Sequence, residues 1–113
     1  MLHEVAFDDL TALRDLVSPE FGEFSEPYFV SQQMIDIFAE LTNDYQWIHV
    51  DISRSNEESP FGGTIAHGFL TLALAPAVRP KLTNSIVGHS NAMNYGIDQL
   101  RFLAPVHSDS NIH

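Results

Sequence analysis

Ile65-Ala66-His67-Gly68-Phe69-Leu70-Thr71-Leu72-Ala73-Leu74-Ala75-Pro76-Ala77-Val78 carries no charged residue, and its large side chains fall on every side of a helical wheel. A helix that is apolar all round has to be buried all round. The stretch therefore predicts a central helix over about 65–79, kinked by Pro76 and ended by Pro80, with a sheet curled around it.

Working back from this helix, Phe61-Gly62-Gly63 reads as a tight turn, and residues 42–60 as a long polar loop. Long ordered loops in small domains tend to carry function. Before the loop, Ser31 reads as the N-cap of a helix over Gln32–Leu41 whose apolar face is Met34, Ile35, Phe38, Ala39 and Leu41. Phe24–Val30, with Pro27 inside it, suits an edge strand, and the spacing of Phe7, Leu10, Leu13, Leu16 and Val17 suits an amphipathic helix over 7–17.

Forward of the helix, the pattern from Ser85 is strand-like, most clearly over Tyr95–Phe102, with a further strand expected from Asn111. The expected class is α+β, one domain over residues 1–113, an antiparallel sheet wrapped around one long helix. Two or three candidate strands are few for that task. The rest are expected from a partner chain or, preferably, from sequence beyond His113, since Ser108–His113 reads as a turn leading into a strand.

Composition narrows the partners. The chain has 113 residues, is 44% hydrophobic and can fill a core, while its formal charge of −10 repels nucleic acid and anionic lipid. Of its 15 carboxylates only Asp98 and Asp109 lie beyond residue 58, where Arg79, Lys81 and Arg101 also sit, so an anionic ligand would approach the later half. No cysteine is present, which removes disulfides and thiolate chemistry. Neither an export signal nor an apolar run of the roughly 20 residues needed to cross a bilayer is seen, so a soluble, cytoplasmic protein is expected.

Two constellations could carry chemistry. Asp44 and His49, five residues apart in the polar loop, can converge on one water molecule if the loop turns, one taking a proton and the other relaying it. Equally, Asp44 could cap a turn and His49 could be a satisfied structural histidine. At the start of the apolar helix, backbone N–H groups around His67, Gly68 and Phe69 could face a developing oxyanion, and Gly68 would let a ligand come close. The alternative is that Gly68 only permits close packing and His67 is a buried polar cap.

Both constellations lie inside a recognisable pattern. The run Phe38-Ala39-Glu40-Leu41-Thr42-Asn43-Asp44-Tyr45-Gln46-Trp47-Ile48-His49-Val50-Asp51, followed by Pro60-Phe61-Gly62-Gly63-Thr64-Ile65-Ala66-His67-Gly68-Phe69-Leu70, resembles the signature of MaoC-like dehydratases and (R)-specific enoyl-CoA hydratases, in the NodN-like branch. Asn94-Tyr95-Gly96 and Arg101–Val106 resemble the family's next strand, and the similarity spans most of the chain from about Phe7. The resemblance implies a hot-dog fold, usually a homodimer, binding acyl-CoA or an acyl-carrier thioester near the subunit interface with no further cofactor and no metal. It also implies hydration of a 2-enoyl thioester or dehydration of a 3-hydroxyacyl one, in fatty acid metabolism. Asp44 and His49 match the family's Asp-x4-His pair, and Gly68 matches the glycine whose N–H faces the thioester carbonyl, with His67 and Phe69 beside it at the substrate. Two departures stand out: Gln46-Trp47 replaces the common Asn-Pro, and Pro76 falls where some hydratases carry a serine. Family domains also continue through strands beyond the position of His113.

Three rival readings are set beside this one. A hot-dog thioesterase would place a carboxylate on or beside the central helix, and residues 65–80 hold none. A truncated, non-catalytic thioester-binding homologue would share the fold. Metal binding would draw on six histidines, but these show no i, i+4 pair.

Overall fold

The computed structural model describes residues 1–113. In chain order its elements are β1 (His3–Ala6), α1 (Leu10–Asp15), β2 (Tyr28–Val30), α2 (Gln32–Thr42), α3 (Trp47–Val50), α4 (Ile52–Glu58), α5 (Gly68–Ala73), β3 (Asn84–Val87) and β4 (Ser110–Ile112). They fall into two compact units, residues 1–25 with 80–100, and residues 26–79 with 101–113. No helix is long and apolar enough to cross a membrane.

In the first unit β1 pairs in parallel with β3, Val5 lying opposite Ile86. The Phe7 N–H extends this pairing to the Val87 carbonyl at 2.9 Å, and Asp9 caps α1 by accepting from the Ala12 N–H at 3.0 Å. These two bonds explain why α1 is shorter than the expected 7–17: Phe7 is spent on the sheet and the cap lies two residues later. The expected strand over Tyr95–Phe102 does not form. Gln99 has a left-handed φ of 52°, which breaks an extended run, and no strand lies alongside those residues.

The second unit is built around α2. Ser31 Oγ accepts from the Met34 N–H at 3.2 Å, as its N-cap position predicts. At the other end Asn43 takes the left-handed conformation, φ 58°, and the N–H groups of Asn43 and Asp44 return to the carbonyls of Glu40 and Ala39. This paired closure stops the helix and sets the direction of the chain that follows. Ile35 and Ala39 on the inner face are buried with Val30, Ala66 and Leu70, against Tyr28, Phe38, Leu74, Val106 and Ile112. Leu41, expected on that face, is exposed, because its helical position turns it away from Ile35.

β2 begins just after Pro27 and pairs antiparallel with β4, Phe29 opposite Asn111. The strand read at the end of the chain therefore forms and finds its partner 80 or so positions upstream, an antiparallel pairing of the kind that needs no helical crossover. Residues 42–60 are not a plain loop. Asp51 ends α3 and caps α4, its Oδ1 accepting from the Arg54 N–H at 3.0 Å, and buried Ser55 donates to the Trp47 carbonyl at 3.1 Å.

The apolar run is divided, and this corrects the expected helix over 65–79. Thr64–Ala66 is extended: the Ala66 N–H reaches the Val106 carbonyl at 2.8 Å, and the Ser108 N–H reaches the Thr64 carbonyl at 3.0 Å. Helix begins only at Gly68 and gives way to turns after Ala73. Nor is it buried all round, since Leu70 is covered while Phe69 is 66% exposed.

Because Ile35 is fully buried at the centre of this unit, Ile35→Ala is expected to cost about 2–5 kcal/mol. Urea unfolding of the two proteins side by side reads this; a loss below about 1 kcal/mol would mean the core is not centred there.

Candidate active site

Asp44 stands in solvent directly after the closure of α2. Its N–H is held by the Ala39 carbonyl at 3.1 Å, and its Oδ1 accepts from the Gln46 N–H at 3.3 Å. The second carboxylate oxygen is left for other partners. His49 lies on α3 with only 6% of its surface exposed. Its Nδ1 is 2.7 Å from the Ile65 carbonyl. A carbonyl only accepts, so Nδ1 carries the proton and Nε2 carries the lone pair.

Burial holds the His49 imidazole below its ordinary value of 6.5, the neighbouring His67 pushing the same way, while the Ile65 bond and the Asp44 carboxyl pull back upward. A neutral imidazole with a free Nε2 lone pair is the state a general base requires.

Three tertiary bonds fix this histidine. The Ile65 N–H donates to Ile48 at 3.0 Å, so α3 and the extended segment grip each other in both directions. The Gln32 side chain then reaches across: Nε2 donates to the His49 carbonyl at 2.7 Å, and Oε1 accepts from Thr64 Oγ1 at 2.6 Å. The sequence places Gln32 only at the start of a helix, with no role at the site. At the first position of a helix a glutamine looks like ordinary surface, and only the long-range pairing reveals its task.

His67, expected at the substrate, is 3% exposed and lies beneath His49. The two rings stack with centroids 3.8 Å apart and planes 24° from parallel. Phe38 meets the His67 ring edge-on at 5.0 Å. His67 Nε2 is 3.0 Å from the Asp44 carbonyl and so donates to it, leaving Nδ1 buried without a partner. Asp44, His49 and His67 thus bring one polar side-chain atom each to within 4.8 Å of one another. A metal ion needs lone pairs that converge in the ring planes. Two nearly parallel imidazoles, each with one nitrogen already bonded to a carbonyl, offer poor convergence, and the donor set suits proton handling better.

Gly68 opens α5, so its N–H belongs to the first turn and has no partner within the helix. The ring of Phe102 lies against it: a Cβ at position 68 would come within 2.6 Å of that ring. Packing alone therefore explains a glycine here, and close approach of a ligand is not needed to account for it. Beside Gly68 opens a cleft of about 370 Å³ lined by Phe61, Ile65, Ala66, Thr71 and the run from Phe102 to Val106. Asp44 and His49 do not line this cleft, and Phe69 turns outward, edge-on to Phe102 at 5.8 Å. Of the expected site residues, the structure brings together Asp44, His49 and His67, places Gly68 one residue beyond them, and leaves Phe69 outside.

Short helices beside two small sheets, with a polar pair fixed ahead of a short apolar helix, make an α+β fold. Residues 20–113 match the family described as MaoC like domain. The chain is 43% identical over 116 residues to Nodulation protein N of Rhizobium meliloti, covering 99% of this chain and 67% of the relative. It is 39% identical over 106 residues to 3-hydroxyacyl-thioester dehydratase Z of Mycobacterium tuberculosis, covering 94% of this chain and 68% of that protein. A solved structure, the monoamine oxidase regulatory protein from Archaeoglobus fulgius, superimposes with a TM-score of 0.61 at 29% identity over 81% of this chain and 61% of that one. The chain belongs to the MaoC-like domain family, and it spans about two thirds of the length of the relatives it matches.

The burial of His49 has a consequence for stability. A group whose folded pKa lies below its unfolded value leaves the folded state short of a proton that the unfolded chain takes up. Stability is then unaffected above the unfolded value of 6.5 and falls as pH drops from there to the lower folded value. The melting temperature of the wild type is expected to drop more steeply than that of His49→Gln between about pH 7 and pH 5. Parallel melting curves for the two proteins would show that burial of His49 is not linked to folding.

Proposed function

We propose that this domain adds water to a 2-enoyl thioester, or removes it from a 3-hydroxyacyl thioester, with the acyl group carried on CoA or a carrier protein. The observation that carries the reading is the convergence of the exposed Asp44 carboxyl with the buried His49, whose Nε2 is the free, proton-accepting nitrogen. Family membership and a relative named for 3-hydroxyacyl-thioester dehydration support it.

In the hydration direction, His49 Nε2 takes a proton from water while the free oxygen of Asp44 accepts the second water hydrogen and aims the oxygen at C3. As the C3–O bond forms, the C2–C3 π electrons move toward the thioester carbonyl. The Gly68 N–H donates to that oxygen, a contribution worth about 3–4 kcal/mol for a well-aimed donor. The proton on His49 then returns to C2, so water is added across the double bond and no redox partner is required. The cleft beside Gly68 is mostly apolar and suits the acyl chain, and a homodimer is the assembly that goes with this reading. A thioesterase would use a carboxylate on or beside α5; residues 65–80 hold none, and release of free thiol is the outcome that would favour it.

Asp44→Asn and His49→Ala are each expected to lower the hydration of crotonyl-CoA by about 10²–10⁴-fold, the usual range for a lost acid–base group. The loss of the enoyl absorbance measures this, with thiol release followed in parallel. Folded variants that hydrate at the wild-type rate, or a wild type that only releases free thiol, would sink the proposal.

A further inference from the structure

We propose that His67 is a positioning residue that joins the two members of the reacting pair, holding the Asp44 main chain with Nε2–H and carrying the His49 ring on its own. This rests on the hydratase reading of Asp44 and His49.

The bonds at Asp44 show why such a tie is needed. Its N–H and its Oδ1 are engaged by Ala39 and Gln46, both close neighbours in sequence. The Gln46 bond ties the turn to the residue that opens α3, but neither bond fixes it relative to α5. The bond that does so is the one from His67, which spans 23 positions. His67 also lies directly under His49, at 3.8 Å between ring centres, and Phe38 meets the His67 ring edge-on. One side chain therefore sets both the height of the Asp44 turn and the tilt of the His49 ring. It sits one residue before Gly68, so the same short segment fixes the pair and opens the helix.

A burial argument strengthens this. His67 Nδ1 is enclosed and has no hydrogen-bond partner. An unsatisfied buried polar atom is a cost to folding that an apolar ring would avoid. If His67 only filled space, phenylalanine would fill it at least as well. That contrast gives two roles with opposite orderings of variants.

His67→Gln keeps an N–H donor the same number of bonds from the backbone and loses the ring. His67→Phe keeps a stacking ring and loses the donor. Because the Ile65 bond also holds the His49 ring, H67Q, which loses only the stacked ring, is expected to keep kcat for crotonyl-CoA hydration within about fivefold of wild type, while H67F, which unties the Asp44 turn, loses about 10–100-fold in kcat with KM within about threefold. H67F is expected to do so while melting no lower than wild type. H67F at the wild-type kcat, or H67Q falling as far as H67F, would overturn the assignment. Should H67F not fold, H67N takes its place, since its amide ends one bond short of the Asp44 carbonyl; the same losses are expected, and a wild-type kcat overturns. His49→Ala is measured alongside. If it abolishes hydration while H67F retains it, the positioning role alone falls; if it hydrates at the wild-type rate, the underlying reading falls and the proposal with it.

Discussion

The hydrogen bond from His49 Nδ1–H to the Ile65 carbonyl joins a one-turn helix to the extended residues that lead into α5, across 16 positions of chain. Much of the second unit depends on it. A helix of one turn has no internal stability, because nucleation costs more than the single bond it gains. α3 persists because its members are bonded outward, at Ile65 and at Gln32. A net contribution of about 1 kcal/mol is ordinary for a hydrogen bond, but leaving either buried partner unmet would cost about 1–3 kcal/mol. That asymmetry keeps the imidazole in one orientation and one tautomer. One contact thus sets both the path of the chain here and the tautomer of the ring.

Two buried imidazoles in face-to-face contact form an uncommon core. Burial disfavours a charge on the His49 ring, and the His67 ring against it pushes the same way. His49 accordingly sits below its ordinary pKa. The carboxyl of Asp44 is on the opposite side of this balance, exposed and pulling His49 upward. The arrangement resembles a carboxyl at a wet rim facing a base in a dry floor, with its two groups in contrasting environments. Such contrast is how one site keeps a proton acceptor and a polar orienting group ready at the same pH.

What could be read from residues alone was whatever depended on near neighbours. Ser31 before an apolar periodic run marks a helix start, and α2 begins there. The spacing of Asp44 and His49 allowed convergence without deciding it, and the turn that Asn43 opens after α2 is what brings the two side chains near each other. β1 was not legible: His3-Glu4-Val5-Ala6 buries one side chain, Val5, and becomes a strand only because residues 84–87 lie beside it. The opposite error arose at the apolar run. Its composition says helix throughout, yet residues 64–66 are drawn into extended pairing with residues 106–108. Tertiary hydrogen bonds outweigh a helix preference of only a few tenths of a kcal/mol per residue, roughly the scale on which propensities differ. Gln32 escaped notice for the same reason, as its partners Thr64 and His49 lie 32 and 17 positions away.

Position 68 shows how a glycine can answer two demands at once. Phe102 occupies the space where a side chain would project from the Cα, so any larger residue has to displace that ring. The amide N–H leaves from a different atom and in a different direction, and as the first-turn donor of α5 it has no helical carbonyl to meet. Packing therefore removes the side chain, while helix geometry frees the donor. The two constraints act on different faces of one residue. A short helix offers little macrodipole, so the useful interaction at this point is one oriented N–H rather than the field of the whole segment. That donor stands next in chain to His67, which stacks on His49 and bonds the Asp44 carbonyl. An opening in the mostly apolar wall formed by Ile65, Ala66 and Val106 lies beside it. One continuous stretch of backbone thus holds an oriented donor and an apolar wall side by side.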